Sequence, residues 1–244
     1  MRMLVSIGAL LFLRMTCFTL AVNSINWSGY EWFIRDAKNQ GPGPNNWTST
    51  NVWVDTHNRL HLKVAYSPSS GWSCAKLQTN VNFGFGTYRW FIQGAIDKFD
   101  PNIVLGLFTY GGVDYINEID IEIAKWGRNQ SSNLFYTVYP SDLNGSKSVS
   151  SEIQMILQGT YTTHQFNWTK DYVRFQSQHG FKSSPTENVF FSYQTPANFT
   201  HSMPVIRVPL HMNLWMFKGR PPTDGKEVEI VVNDFQYEEE LSVD

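Results

Sequence analysis

The sequence has little charge and few cysteines. Only 16% of its 244 residues are charged, the net charge is −2, and two residues are cysteine. Cys17 lies in an N-terminal apolar stretch, so removal of that stretch would leave Cys74 alone and exclude an intrachain disulfide. The sequence has no basic patch and no nucleic-acid-binding motif, which excludes nucleic acid as a partner.

The sequence also lacks an apolar run long enough to span a bilayer easily. The run from Leu4 to Leu13 follows Arg2 and is ended by Arg14. This pattern predicts a secretory signal peptide over residues 1–21, with an N-terminal membrane anchor as the alternative. We therefore expect a secreted, extracellular protein that is not held in a membrane after cleavage. Six glycosylation triplets fit secretion, at Asn26, Asn46, Asn129, Asn144, Asn167 and Asn198.

Signatures of nucleotide and serine-hydrolase chemistry are missing too. There is no P-loop, no dinucleotide fingerprint and no G-x-S-x-G motif. The six histidines show no metal-ligand spacing, so we interpret them as structural or exposed. The sequence therefore gives no reason to expect a cofactor.

Short alternating segments fill the chain instead. Nine Trp, eleven Tyr and seventeen Phe favour strands over helices, and no window shows a clear helical period. We find no internal repeat and no long linker, although residues 39–46 are predicted to form a loop. The pattern indicates an all-β sandwich in a single domain over residues 22–244. The clearest strand segments are Leu60–Val64, Gly86–Ile92, His164–Trp168, Tyr172–Phe175 and Val228–Val232.

Three acids alternate with two isoleucines in the run from Glu118 to Glu122. On a strand, Glu118, Asp120 and Glu122 share one face. Neighbouring carboxylates repel and raise one another's pKa, so a fold gains nothing from the arrangement. A retaining glycosidase does gain, because it needs one ionised carboxylate as nucleophile and one protonated acid as donor. A solvated strand face is the alternative interpretation.

The flanking residues favour the catalytic interpretation. Upstream, the apolar run from Ile103 to Tyr110 ends in an aromatic residue, and Trp126 closely follows the acids. Apolar strands with aromatic residues beside an acid run suggest a sugar-binding cleft. Glu118 and Glu122 would lie roughly 13 Å apart along a flat strand. A retaining pair is about 5–5.5 Å apart, so the two side chains must lean together. The charges of Asp120 and Glu118 are expected to keep a proton on Glu122.

These residues and three other segments, taken in order, resemble glycoside hydrolase family 16. The run from Glu118 to Glu122 is similar to the catalytic signature of that family. The strand-like segment Phe83–Trp90 resembles its Y-G-x-x-E/R strand. Thr163–Thr169 resembles its H-T-Y-x-x-x-W-T segment, and His211–Trp215 resembles its M-N-L-W strand. The resemblance covers about residues 51–237.

The resemblance implies a jelly-roll β-sandwich of the concanavalin A-like type, with a concave substrate cleft. It implies retaining hydrolysis of internal β-glycosidic bonds, with Glu118 as nucleophile, Asp120 as its helper and Glu122 as acid/base. The acid spacing has no extra residue after Asp120, which resembles lichenases, plant xyloglucan transferases and fungal wall transglycosylases. The polysaccharide substrate is the expected partner, and we expect a monomer.

The distal part of the expected cleft departs from lichenases. Their C-A-E-x-R segment corresponds to Cys74–Gln78 here, so Lys76 replaces a glutamate and Gln78 an arginine that help bind distal sugars. Tyr110, Trp126 and Trp215 are candidates for stacking on sugar rings, and Asn213 for binding a hydroxyl. Each Trp has a core position as its alternative. Asp234 matches a position that holds a structural calcium in some family members, and an exposed acid is the alternative.

Three functions remain open on this basis. The first is a secreted endo-β-glucanase acting on a 1,3-1,4 or 1,3-linked glucan. The second is a cell-wall transglycosylase, in which a sugar hydroxyl replaces water. The third is a non-catalytic carbohydrate-binding protein, and the presence of all three acids argues against it.

Overall fold

The computed structural model describes residues 23–128, 132–142 and 146–240. The proposed signal peptide with Cys17, and the triplets at Asn129 and Asn144, lie outside these residues. The strands are β1 (Ser24–Trp27), β2 (Tyr30–Ile34), β3 (Ala37–Gln40), β4 (Asn45–Trp47), β5 (Val52–Val54), β6 (Leu60–Ser67), β7 (Gly71–Ser73), β8 (Ala75–Phe83), β9 (Gly86–Gln93), β10 (Ile103–Thr109), β11 (Ile119–Ala124), β12 (Leu134–Val138), β13 (Val149–Ile153), β14 (Tyr161–Trp168), β15 (Val173–His179), β16 (Val189–Gln194), β17 (Val208–Met216) and β18 (Val228–Glu239). Short 3₁₀ helices lie at Ser49–Asn51, Ile96–Lys98, Ala197–Ser202 and Phe217–Gly219.

Two large antiparallel sheets form the molecule. The first has the order β1-β2-β8-β17-β10-β11-β12-β13, and the second has the order β16-β15-β14-β9-β18-β6-β5, with β7 also paired to β6. A two-stranded hairpin of β3 and β4 stands apart from both. This is the jelly-roll β-sandwich that the sequence predicts. Among the described residues, none belongs to a helix with the length and apolarity needed to cross a membrane.

Alternation along the strands places the core between the two sheets. In β11, Ile119, Ile121 and Ile123 are fully buried, each stabilising the fold by roughly 1.5–3 kcal/mol relative to an exposed side chain. The predicted core residues Trp90 and Trp168 are buried as well. Because β11 directs its isoleucines into this core, its alternate side chains must lie on the outer face of the first sheet.

Two local predictions are wrong. Residues 39–46, predicted as a loop, include part of the hairpin in which Gln40 pairs with Asn45. Tyr172, predicted as the start of a strand, lies one residue before β15. Its carbonyl accepts hydrogen bonds from the amide and the hydroxyl of Thr169, which closes a turn. Both errors come from short turns whose hydrogen bonds the alternation of side chains does not encode.

The glycosylation triplets differ in accessibility. Asn26 and Asn198 are exposed, whereas Asn46 is half-buried. Asn167 lies within β14, where its side-chain amide donates a 3.0 Å hydrogen bond to the Thr87 hydroxyl. A glycan on Asn167 would have to replace that bond.

Candidate active site

The acids of β11 lie in the middle of the first sheet. Glu122 is opposite Gly106 of β10 on one side and Phe135 of β12 on the other. Asp120 is opposite Phe108 and Thr137 in the same two strands. Their position between two paired strands fixes both side chains over the outer face of the sheet.

Glu118 lies one residue before β11, and not within the strand as the alternation predicts. The backbone of the preceding Asn117 has a positive φ of 51°, which ends the regular strand geometry. The Glu118 carbonyl nevertheless accepts a 2.8 Å hydrogen bond from the Tyr139 amide, which continues the ladder. Glu118 therefore keeps its side chain on the same face as Asp120 and Glu122.

A cleft of about 540 Å³ lies over this face, and all three acids line it. Of the predicted sugar-contacting residues, Tyr110, Asn213 and Trp215 line it as well. We call Glu118, Asp120 and Glu122 the carboxylate strip. The strip and three of its four predicted partners thus share one cavity.

The three acids titrate differently. Burial raises the pKa of Glu118 to about 7, while the Tyr115 amide, Lys76 and a hydrogen bond from Asp120 oppose that rise. Burial, followed by the charge of Glu118, raises the pKa of Glu122 to about 8. Burial and both neighbouring glutamates raise the pKa of Asp120 well above its usual range. All three acids therefore hold their protons to a higher pH than usual, and the hydrogen bond from Asp120 and the charge of Lys76 favour the ionised form of Glu118.

Asp120 is coupled to both glutamates of the strip. Burial and the charge of Glu118 raise the pKa of Glu122, while the charges of Glu118 and Glu122 both raise the pKa of Asp120. That Asp120 helps to keep a proton on Glu122 stays a prediction. A protonated Asp120 donates to Glu118, which stabilises the ionised form of that carboxylate.

Asn213 and Glu122 lie on opposite sides of a glycine in the sheet. In the sheet, Gly106 lies between Asn213 of β17 and Glu122 of β11. A Cβ atom on Gly106 would stand 2.6 Å from the Asn213 side-chain oxygen, so only glycine leaves room for it. That oxygen is buried without a hydrogen-bond partner among the described residues. An unpaired buried acceptor beside a protonated acid is suited to binding a hydroxyl group.

The three aromatic candidates have different surroundings. Tyr110 lines the cleft, and its hydroxyl donates a 2.6 Å hydrogen bond to Asp114. Trp215 both lines the cleft and packs against the core, with 8% of its surface exposed. Trp126 does not line the cleft but packs against Trp215, Phe135 and Phe217. Its place beside Trp215 suits a supporting role.

The sequence did not identify Phe108, Asp114 and Arg35 as residues of the cleft wall, and all three line it. Lys76, which the family resemblance places in the distal part of the cleft, lines it as well. It also stands out within its own strand, because a lysine between Ala75 and Leu77 interrupts a buried apolar run. Arg35 has no comparable signal, since it follows the end of β2 and reaches the cleft through the packing of β2 on β8.

Asp234 does not assemble a metal centre with the residues around it. Its two carboxylate oxygens accept hydrogen bonds from the Ser28 hydroxyl, the Phe235 amide and the Gln236 side chain. In the part of the chain that the structure describes, no group of three or more His, Cys, Asp or Glu side chains could hold a metal ion. Calcium binding at Asp234 stays a prediction, and no step below depends on it.

Solved structures share this architecture. The chain is similar to a Bacillus licheniformis β-glucanase, with 19% identity, a TM-score of 0.64, and coverage of 89% of this chain and 98% of that one. The chain has the fold of the family 16 glucanases. A non-specific endo-β-1,3(4)-glucanase from family GH16 is 13% identical, with a TM-score of 0.60 and coverage of 84% and 83%. The laminarinase catalytic domain of Thermotoga maritima MSB8 is 13% identical, with a TM-score of 0.61 and coverage of 86% and 92%.

At the level of sequence the chain stands apart. No protein-family model matches it, and no curated protein does. At such low sequence identity, structural similarity establishes the fold alone. The case for an activity therefore depends on the carboxylate strip and its cleft.

Proposed function

We propose that this protein is a retaining endo-β-glycosidase that hydrolyses internal bonds of a β-glucan with 1,3-1,4 or 1,3 linkages. The observation that carries the proposal is the carboxylate strip, in which the buried Asp120 and the half-buried Glu118 and Glu122 share one cleft and have raised pKa values. Paired carboxyl groups with separated pKa values are the requirement of retaining glycoside hydrolysis. The β-glucanases that share the fold supply the substrate class.

The roles follow from the surroundings of the two glutamates. Lys76 and the hydrogen bond from Asp120 favour ionised Glu118, so its carboxylate attacks the anomeric carbon and forms a glycosyl ester. Glu122 keeps its proton to higher pH and donates it to the departing glycosidic oxygen. Glu122 then takes a proton from water, whose oxygen attacks the same carbon and releases Glu118. Two inversions at that carbon return the β-configuration.

Asp120 assists without reacting. Its protonated carboxyl donates to Glu118, which lowers the pKa of the nucleophile and fixes its orientation. When the glycosyl ester forms, the charge on Glu118 disappears, so Asp120 contributes most before the first step and after the second.

Two measurements test the assignment. Purified protein incubated with a panel of β-1,3 and β-1,3-1,4 glucans should release reducing ends, with and without added oligosaccharide acceptors. Proton NMR of freshly formed product should show the β-anomer first. An initial α-anomer would exclude a retaining mechanism and remove Glu118 as nucleophile, and transfer to acceptors in place of hydrolysis would identify a transglycosylase.

We further propose that the protein is secreted after loss of residues 1–21 and acts as a monomer outside the cell. The support is the apolar N-terminal run with Arg2 before it. N-terminal sequencing of the protein from culture medium would test it, because an intact Met1 would contradict cleavage.

A further inference from the structure

Two cationic side chains stand side by side in the wall of the cleft. Lys76 lies on β8, and Arg35 follows the end of the neighbouring strand β2. The Arg35 amide donates a 2.9 Å hydrogen bond to the Lys76 carbonyl, which fixes the two residues next to each other. Both line the cleft that contains the carboxylate strip, and only 7% of the Lys76 surface is exposed. We call Arg35 and Lys76 the cationic pair.

The cationic pair forms no direct salt bridge. Across the described ranges, no carboxylate lies within 4.0 Å of either side chain. The ammonium of Lys76 lies 5.7 Å from the centre of the Phe108 ring, and the Arg35 guanidinium contacts the Gln40 side chain. The Nε of Arg35 is buried and has no hydrogen-bond partner. Lys76 is buried and Arg35 is half-buried, and the charges of Glu118 and Asp114 act on Lys76 only through space. No direct ion pair offsets the cost of placing the two cations together, which leaves them able to bind an anion.

The charges around Lys76 show what the site would accept. Burial and the charge of Arg35 lower the pKa of Lys76 to about 8, whereas Glu118 and Asp114 act in the opposite direction. Lys76 is therefore mostly charged at mildly acidic pH. Arg35 places a second positive charge beside it. An oxyanion placed between the two would relieve their repulsion and pair with the free Nε–H.

We propose that the cationic pair is a subsite for an oxyanion carried by the sugar chain, either the carboxylate of a uronic acid or a sulfate ester. This inference rests on the proposed function, because it places the acidic sugar in the same cleft as the bond to be cleaved. Guanidinium and ammonium groups bind such oxyanions through charge-assisted hydrogen bonds. Lys76 is opposite Asn213 in the sheet, and Asn213 leads across Gly106 to Glu122. The acidic sugar would therefore lie to the β8 side of the reacting bond.

A second role for Lys76 makes a different prediction. Lys76 lowers the pKa of Glu118, so it could serve only to keep the nucleophile ionised. In that case its loss would reduce activity on neutral and acidic chains by the same factor and would move the acid limb of the pH profile. A subsite for an oxyanion changes the ratio between the two substrates instead.

The experiment uses one β-1,3-glucan in three forms at pH 6 and low salt. The first form is unmodified, the second is partly oxidised at C6 to glucuronate, and the third is partly sulfated at C6. Values of kcat/KM are compared for the wild type, Lys76→Met and Arg35→Gln, with Lys38→Met as the matched control. Lys38 is an exposed lysine of β3 outside this cleft. Thermal unfolding of each variant checks that it is folded.

Binding is measured separately by affinity electrophoresis in gels that contain each glucan, using Glu118→Gln protein with and without Lys76→Met. This arm does not require hydrolysis, so it distinguishes failure of the subsite from failure of the proposed function. If Glu118→Gln protein prefers an acidic form while the wild type cleaves none of the glucans, the subsite stands and the proposed function fails.

The wild type is expected to prefer one acidic form by roughly tenfold or more, the size of a charge-assisted hydrogen bond. Whether glucuronate or sulfate is preferred identifies the oxyanion. Lys76→Met and Arg35→Gln should each bring the ratio of acidic to neutral substrate towards one, and added salt should do the same. Lys38→Met should keep the wild-type ratio. Equal use of all three forms by the wild type, or an unchanged ratio in both cleft variants, would overturn the proposal.

Discussion

The carboxylate strip and the cationic pair differ in how repulsion between like charges is relieved. Both place like charges together in one partly buried cleft. The acids can hold protons, and the raised pKa values of Glu118 and Glu122 show that they do so near neutral pH. The cationic pair holds its positive charge, because burial and Arg35 lower the pKa of Lys76 only to about 8. Repulsion in the strip is therefore relieved by protons from water, while repulsion in the pair is left for a ligand.

The largest expected effect separates the two groups by function. Glu118→Gln and Glu122→Gln should each reduce kcat on the best substrate by at least roughly 100-fold, because one loses the nucleophile and the other the proton donor. Lys76→Met should cost far less on an uncharged glucan. Initial rates of reducing-end release check both statements. If the lysine variant lost as much as either glutamate variant, the division between a reacting strip and a binding pair would fail.

Chemical rescue separates the two glutamates. Azide should restore turnover of an activated aryl glycoside to Glu122→Ala with a β-azide product, because the glycosyl ester still forms on Glu118. With Glu118→Ala the same anion attacks directly and should give the α-azide. NMR of the two products checks the assignment, and exchanged configurations would reverse the roles.

A smaller effect is expected at Asp120. Asp120→Asn weakens the hydrogen bond to Glu118 and should reduce kcat/KM by roughly 10- to 100-fold, the worth of a bond to a charged group. The acid limb of the pH profile should move to higher pH, because the pKa of Glu118 rises. The basic limb should move to lower pH, because Asp120 and Glu122 are coupled and the substitution removes one of the acids that oppose ionisation of Glu122.

Asp114 provides the matched control for this prediction. Its charge raises the pKa of Glu118, so Asp114→Asn should move the acid limb to lower pH. If the acid limb of the pH profile moved in the same direction in Asp120→Asn and in Asp114→Asn, Asp120 would act on Glu118 only through its charge.

A substitution at Gly106 should give a smaller effect again. It tests the role of Asn213, which lies between Lys76 and Glu122 in the sheet. In Gly106→Ala the new methyl group displaces the Asn213 side chain, which should lower kcat/KM on every substrate by roughly tenfold, the value of one lost hydrogen bond. Gly94→Ala also crowds a side chain, at 3.2 Å from Ile230, but far from β11. If kcat/KM fell equally in Gly106→Ala and Gly94→Ala, the loss would come from strain and not from displacement of Asn213.

A further effect concerns stability against pH. The folded-state pKa of Glu122 lies above its usual value of 4.5, so its contribution to stability is lost as pH rises towards 8. The folded-state pKa of Lys76 lies below 10.5, so stability should recover between pH 8 and 10.5. Thermal unfolding of Glu122→Gln and Lys76→Met, each subtracted from the wild type, should give slopes of opposite sign in these two ranges. Slopes of the same sign would contradict the opposition between strip and pair.

The predictable part of this molecule is the part that strand alternation encodes. Ile119 and Ile121 point inwards, which leaves Asp120 and Glu122 outside, and this was evident from the five residues from Glu118 to Glu122. The cleft wall was not evident, because Arg35 and Lys76 meet only through the pairing of β2 with β8. Gly106 was equally hidden: its importance depends on the side chain of Asn213, which lies more than a hundred residues further along the chain.

The C-terminal strand β18 lies at the centre of the second sheet, between β9 and β6. During synthesis on a ribosome, every other strand described here emerges before it. Until then β9 and β6 have no neighbour on the sides that β18 will occupy, and the core lacks Ile230, Val232 and Phe235. The sandwich therefore cannot close progressively from its N-terminus. A chain that ends before residue 228 should keep a gap between β9 and β6 and stay sensitive to proteases even after long incubation.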